Sequence, residues 1–208
     1  MNTTPQQHFA RLLADHPALA VCRTSLWEAY ERTRACFASG GKLLLCGNGG
    51  SAADCEHIVG ELMKGFLLKR SVAPASLGDA ADLAGKLQGA LPALSLTGQP
   101  ALNTAYQNDV DPAMVFAQQV FGYGVPGDVL LGISTSGNAE NVAHALRVAK
   151  ARGLVTLGLT GAAGGRMKAL CDVCLCVPET ETYRVQELHL PVYHAYCAML
   201  ESAFFGDD

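Results

Sequence analysis

Five stretches of the chain are apolar at nearly every position: residues 42–46, 91–96, 128–133, 154–159 and 173–177. Each is strand-sized and each runs into Gly, Ser, Thr, Asn or Pro. An apolar run without alternation fits a strand buried on both faces. Helical patterns lie between them. One covers 51–64 after the first strand, one covers 112–123 before the third, and others cover 139–152 and 166–170 after later strands. Repeated strand–helix alternation predicts a parallel sheet covered on both faces. The expected fold class is α/β, a three-layer αβα sandwich on a five-stranded parallel sheet with the flavodoxin-like order 2-1-3-4-5.

Two helical segments flank this unit. Residues 6–39 read as mostly helical, with a break at Pro17. Residues 183–205 mix apolar and polar positions at helical spacing, and Pro191 inside them predicts a kink. The segment 69–89 interrupts the alternation. Its "DAADLAGKLQ" suits a short helix, and the stretch reads as a surface excursion, with a lid or specificity element as the competing reading. We therefore expect one domain over 1–208, with an N-terminal helical extension (1–40) and an insertion (69–89).

Composition narrows the function. The chain has 208 residues, half of them hydrophobic, and a net charge of −4. That balance leaves no electrostatic footprint for nucleic acid or an anionic membrane. No apolar run approaches the roughly 20 residues of a membrane span. The opening "MNTTPQQHFARLLADH" lacks a basic start followed by an apolar core, so a cytoplasmic protein is expected. Of eight cysteines, Cys22, Cys36, Cys46, Cys55 and Cys197 sit in apolar stretches and read as small core residues. Cys171, Cys174 and Cys176 cluster without an evident fourth ligand. Strand alternation puts Cys174 and Cys176 on one face, which fits core packing rather than a metal or redox site.

Chemistry concentrates in two polar turns. "GNGGS" (47–51) and "STSGN" (134–138) both lie where a strand gives way to a helix. Glycine allows close backbone approach to a ligand, a helix start offers free N–H groups, and hydroxyls add donors. Neither turn is a Walker A or a dinucleotide fingerprint. In the expected strand order the two turns border one crevice at the switch point, which suits a phosphate or sugar phosphate. The helix after the first turn carries His57 and Glu61, spaced i, i+4 on one face. The last helix carries Gln186, His189 and His194. Gln186 and His194 are eight residues apart and about 80° around the axis. Spacing alone leaves a nitrogen/oxygen metal site and ordinary core histidines both open.

The motifs "GNGGSAAD…H…E", "NDVD", "GDVLLGISTSGN", "LTG…GG" and "VPETETYRVQELHLPVYH" closely resemble the phosphoheptose isomerases of the sugar isomerase (SIS) domain superfamily, over nearly the whole chain. The resemblance implies a homotetramer built by the terminal helices, with active sites between subunits. It implies conversion of sedoheptulose 7-phosphate to an aldose heptose 7-phosphate, a precursor of lipopolysaccharide core. Carried over by position, it implies zinc ligands His57, Glu61, Gln186 and His194, with Glu61 and His194 as the acid/base pair. It makes Asn48, Gly49, Gly50, Ser51, Ser134, Thr135 and Ser136 the substrate and phosphate loops, with Asn108 and Asp109 on the sugar.

Three departures touch the phosphate grip and substrate shape. Ala139 replaces a further serine after "STSGN". Gly65 stands where an arginine often follows the glutamate, with Lys64, Lys69 and Arg70 as candidate substitutes. The interval from Glu61 to Asp109 is lengthened by the 69–89 segment. The alternative to an isomerase is a non-catalytic SIS protein that binds a partner, of the replication-initiator-associated type. The presence of both Glu61 and His194 favours an enzyme.

Overall fold

The computed structural model describes residues 3–206. Its sheet comprises β1 (Leu43–Gly47), β2 (Ala93–Ser95), β3 (Val129–Ile133), β4 (Val155–Thr160) and β5 (Val173–Cys176). All pairings are parallel and the order is β2-β1-β3-β4-β5, as expected. Helices α1 (Pro5–Asp15), α2 (Arg23–Ala38), α3 (Gly50–Met63), α4 (Pro100–Asp109), α5 (Val115–Tyr123), α6 (Glu140–Ala151), α7 (Met167–Leu170) and α8 (Thr182–Phe205) complete the chain.

Strand alternation sorts the helices into two layers. Leu43 and Leu45 of β1 point to one side, where they join Cys55, Ile58 and Leu62 of α3, Leu26 of α2 and Val192 and Tyr196 of α8. Leu44 and Cys46 point to the other, with Phe116 of α5 and Val142 and Leu146 of α6. Ile58 and Leu62 are fully buried. Burial of such a side chain contributes about 1.5–3 kcal/mol, so α3 is anchored to the sheet by a face about 100° around the helix from His57 and Glu61. Helix α8 packs on α1, α2 and α3 together, which carries the last helix to the helix that follows β1.

The differences from the sequence reading have local causes. The second strand contracts from 91–96 to Ala93–Ser95, because Pro92 has no N–H to give a ladder. The helix expected over 112–123 starts with a 3-10 turn, Pro112–Met114, before α5. Helix α4 was not expected at all; it has no buried residue and so no apolar stripe to reveal it. The 69–89 segment holds a 3-10 run, Pro74–Lys86, broken at Gly78, and apart from Ala84 that run is at least partly exposed. Helix α8 continues through Pro191. The five scattered cysteines are buried as expected, whereas Cys174 and Cys176 are only half-buried. Val173 and Leu175 take the fully buried side of β5, while Cys174 and Cys176 share its other face as expected and Cys171 packs against the second core. Among the described residues no helix is long and apolar enough to cross a membrane.

Candidate active site

The first polar turn is shaped by close packing. Gly49 adopts φ +56° as the N-cap of α3, a left-handed conformation that favours glycine. A Cβ on Gly50 would collide with the side-chain amide of Gln186, so the last helix rests directly on this turn. Neither α3 nor α6 has a side-chain N-cap bond. Both helix starts therefore keep N–H groups for an anion.

The second turn lies beside the first, since Gly47 at the end of β1 pairs with Ile133 at the end of β3. Asn48 and Asn141 tie the two together with a reciprocal pair of amide hydrogen bonds, each 2.9 Å. Asn141 had no signal in the sequence reading. Ser134 is buried, and the Thr135 carbonyl accepts the Gly161 N–H at 3.0 Å. Ser136 is exposed, and its hydroxyl accepts the Asn138 N–H at 3.2 Å. The two turns thus form one polar edge at the carboxyl ends of β1 and β3.

Beside it, α3 and α8 bring three predicted residues together around one imidazole. His57 Nε2 lies 3.1 Å from Glu61 Oε1 and 3.4 Å from His194 Nε2. His57 Nδ1 lies 3.0 Å from the Tyr193 hydroxyl. Burial, and then the Asp54 charge, raises the Tyr193 pKa. The phenol therefore stays protonated, shared between the Asp54 carboxylate and His57 Nδ1, and its contact with Nδ1 fixes the orientation of the imidazole, whose Nε2 faces Glu61. Burial, and then neighbouring His57, lowers the His194 pKa, with Glu61 opposing. A neutral His194 presents a lone pair or a proton with little cost in either direction, as acid/base work requires. Tyr193 was also missed in sequence; its role appears only because α8 meets α3.

The other predicted residues divide. Gln186 joins the first turn. Lys64 donates to Glu61 Oε2 at 3.2 Å, while Arg70 is buried elsewhere and does not replace an active-site arginine. Asn108 and Asp109 end α4 in exposed positions; the Asn108 amide donates to Asp109 at 2.8 Å. No hydrogen bond brings either of them to the histidine cluster.

The donor set fits a divalent ion by chemistry and pairwise spacing. Two ligands about 2.1 Å from a tetrahedral ion stand about 3.4 Å apart. The two contacts of His57 Nε2 match that separation. As placed, however, no three His, Cys, Asp or Glu side chains among the described residues enclose a common cation position. His57 is the hub of two donor pairs rather than one corner of a closed set.

Comparison with known proteins gives this arrangement its family. The SIS domain family model matches residues 76–161. A phosphoheptose isomerase of Trichlorobacter lovleyi is 40% identical over 97% of this chain and 96% of that protein. The chain belongs to the phosphoheptose isomerase family. Another member, from Burkholderia pseudomallei, is 40% identical over 97% of this chain and 91% of its own length. Solved phosphoheptose isomerases share the fold. The Neisseria gonorrhoeae structure has a TM-score of 0.75 and 36% identity, covering 94% of this chain and 95% of that one. The Francisella tularensis structure has a TM-score of 0.78 and 29% identity, with 92% of each chain covered.

Proposed function

We propose that the chain is an aldose–ketose isomerase that converts sedoheptulose 7-phosphate to D-glycero-D-manno-heptose 7-phosphate through an enediol. The observation that carries this reading is the meeting of Glu61 and His194 around His57, beside two uncapped helix starts.

The two turns hold the phosphate end. Backbone N–H groups at Gly49 and Gly50, with the Ser51 side chain, the Asn48 amide and the groups of Ser134, Thr135 and Ser136, supply donors without a net positive charge. Asn108 and Asp109 contact the sugar in this reading. Substrate binding on the turns lays C1 and C2 against α3 and α8. Glu61 removes the proton from C1 of the ketose and returns it to C2. His194 gives a proton to O2 as the enediol forms and takes one from O1 as it collapses, so the proton count closes within the active site. Tyr193 and His57 hold Glu61 in line between these steps. In this reading His57, Glu61, Gln186 and His194 would hold a divalent metal, zinc, which would supply positive charge beside the carbonyl.

The functional unit in this reading is a homotetramer with its sites between subunits. Exposed Leu67 and Leu190, near His194, support a second copy covering that rim. The reading also places the enzyme in the cytoplasm, supplying a precursor of surface glycan.

The test is exchange in deuterated water. The wild-type protein, offered a panel of ketose phosphates, incorporates label at the carbon-bound position of sedoheptulose 7-phosphate and releases the aldose. Glu61→Gln keeps the fold and lowers kcat by about 10²–10⁴. Absence of exchange with every sugar, or a Glu61→Gln variant as fast as wild type, overturns the assignment.

A further inference from the structure

We propose that Arg70 is a positioning residue for Glu61, held by Glu201, and that this pair fixes the separation of the two helices carrying the reacting carboxylate and imidazole. The inference rests on the isomerase reading above.

Arg70 follows α3 by seven residues and turns back beneath its end. Its side chain is fully buried, as is that of Glu201. The guanidinium donates from Nη2 to the Glu61 carbonyl at 2.9 Å and from Nη1 to the Leu62 carbonyl at 2.6 Å. Nε donates to Glu201 Oε1 at 2.8 Å. These carbonyls belong to the last turn of α3, where the helix has no donors of its own and its dipole favours a cation. Arg70 is therefore bonded to the backbone of the very residue assigned as base.

Glu201 closes the other side. It lies two turns beyond His194 on α8, and a spacing of seven residues keeps both on one face. Besides Arg70, its carboxylate accepts the N–H groups of Phe66 at 2.8 Å, Leu67 at 2.7 Å and Leu68 at 3.2 Å. The Phe205 ring covers the guanidinium, with Arg70 Cζ 4.8 Å from its centroid. One ion pair thus joins the end of α3, the loop that follows it and the helix of His194.

Packing alone does not account for this arrangement. A buried ion pair generally stabilises a core no better than apolar side chains of similar volume. An apolar side chain, however, cannot bond the terminal carbonyls of α3 while gripping α8. Tilting of that last turn moves the Glu61 carboxylate relative to His194 and leaves the phosphate turns, at the other end of α3, in place. The signature is a loss in kcat without a matching change in KM.

Two variants test this, measured beside wild type and Glu61→Gln under conditions where circular dichroism shows each to be folded. Arg70→Lys keeps the charge and loses the planar fork; kcat is expected to fall about tenfold with KM within about twofold. Phe205→Leu keeps every partner of the guanidinium and loosens its cover; kcat is expected to fall about threefold with KM unchanged. Wild-type kcat in either folded variant, or a rise in KM as large as the fall in kcat, overturns the positioning role while Glu61→Gln remains inert. Should Arg70→Lys fail to fold, Phe205→Leu decides. A wild-type protein inert toward every ketose phosphate, or a fully active Glu61→Gln, instead overturns the isomerase reading itself.

Discussion

Asn48 and Asn141, 93 positions apart in the chain, exchange two amide hydrogen bonds beside the first polar turn. Their pairing holds the turn after β1 against the helix after β3. It also occupies the Asn48 amide, so a substrate that uses Asn48 must displace Asn141 or bind around the pair.

Substitution of Asn141 by Leu at this half-buried position removes both bonds and also the acceptor that Asn141 Oδ1 offers to the Val142 N–H at 2.9 Å. Each such bond contributes about 0.5–1.5 kcal/mol net, so KM for the sugar phosphate is expected to rise about fivefold. The melting temperature should fall slightly as well, because the N–H of buried Val142 loses its partner. Steady-state kinetics and a thermal melt together check this.

Gly50 has a different kind of sensitivity. Its Cβ position is already filled by the Gln186 amide. Gly50→Ala pushes that amide off the first turn, and kcat/KM is expected to fall about a hundredfold. A Gly50→Ala,Gln186→Ala double variant should be no worse than Gly50→Ala alone, which kinetics on the pair would reveal.

His189 gives the fold a pH dependence. It is fully buried, with neither ring nitrogen in a hydrogen bond. Burial lowers its pKa from 6.5 to about 4, opposed in part by the Thr160 backbone. The unfolded chain binds this proton more readily, so stability rises with pH. The contribution is fully present above pH 6.5 and is lost as pH falls toward about 4. It amounts to about 3 kcal/mol. Denaturant unfolding at several pH values should show this slope in wild type and a flatter one in His189→Leu.

Metal dependence follows from the donor pairs around His57. Zinc is expected to raise the melting temperature in a concentration-dependent way, because a ligand of the folded state stabilises it by mass action. His57→Ala should abolish the rise. Thermal melts with and without a chelator check it independently of activity.

Much of the scaffold was legible from local pattern. The five strands announce themselves because a sheet covered on both faces needs apolar residues at every position. His57 and Glu61 stand out because four residues return a helix to the same face. What escaped has no local signature. Helix α4 buries nothing, so no periodic stripe marks it. The Arg70–Glu201 pair joins residues 131 apart, and the His57–Tyr193 contact joins residues 136 apart. Each depends on α8 packing against α3, which no spacing within either helix encodes. Arg70 was legible as a nearby cation but not as a buried one, because the segment around it otherwise reads as surface.

The two-sided grip on His57 has a consequence for turnover. With Tyr193 on one ring nitrogen and Glu61 and His194 at the other, rotation of the imidazole would break contacts on both edges at once. The rotational freedom that a reacting constellation must surrender is therefore given up during folding, before any sugar arrives. In the isomerase reading, each catalytic cycle then begins from an aligned set of groups, and the entropic part of the barrier is correspondingly smaller.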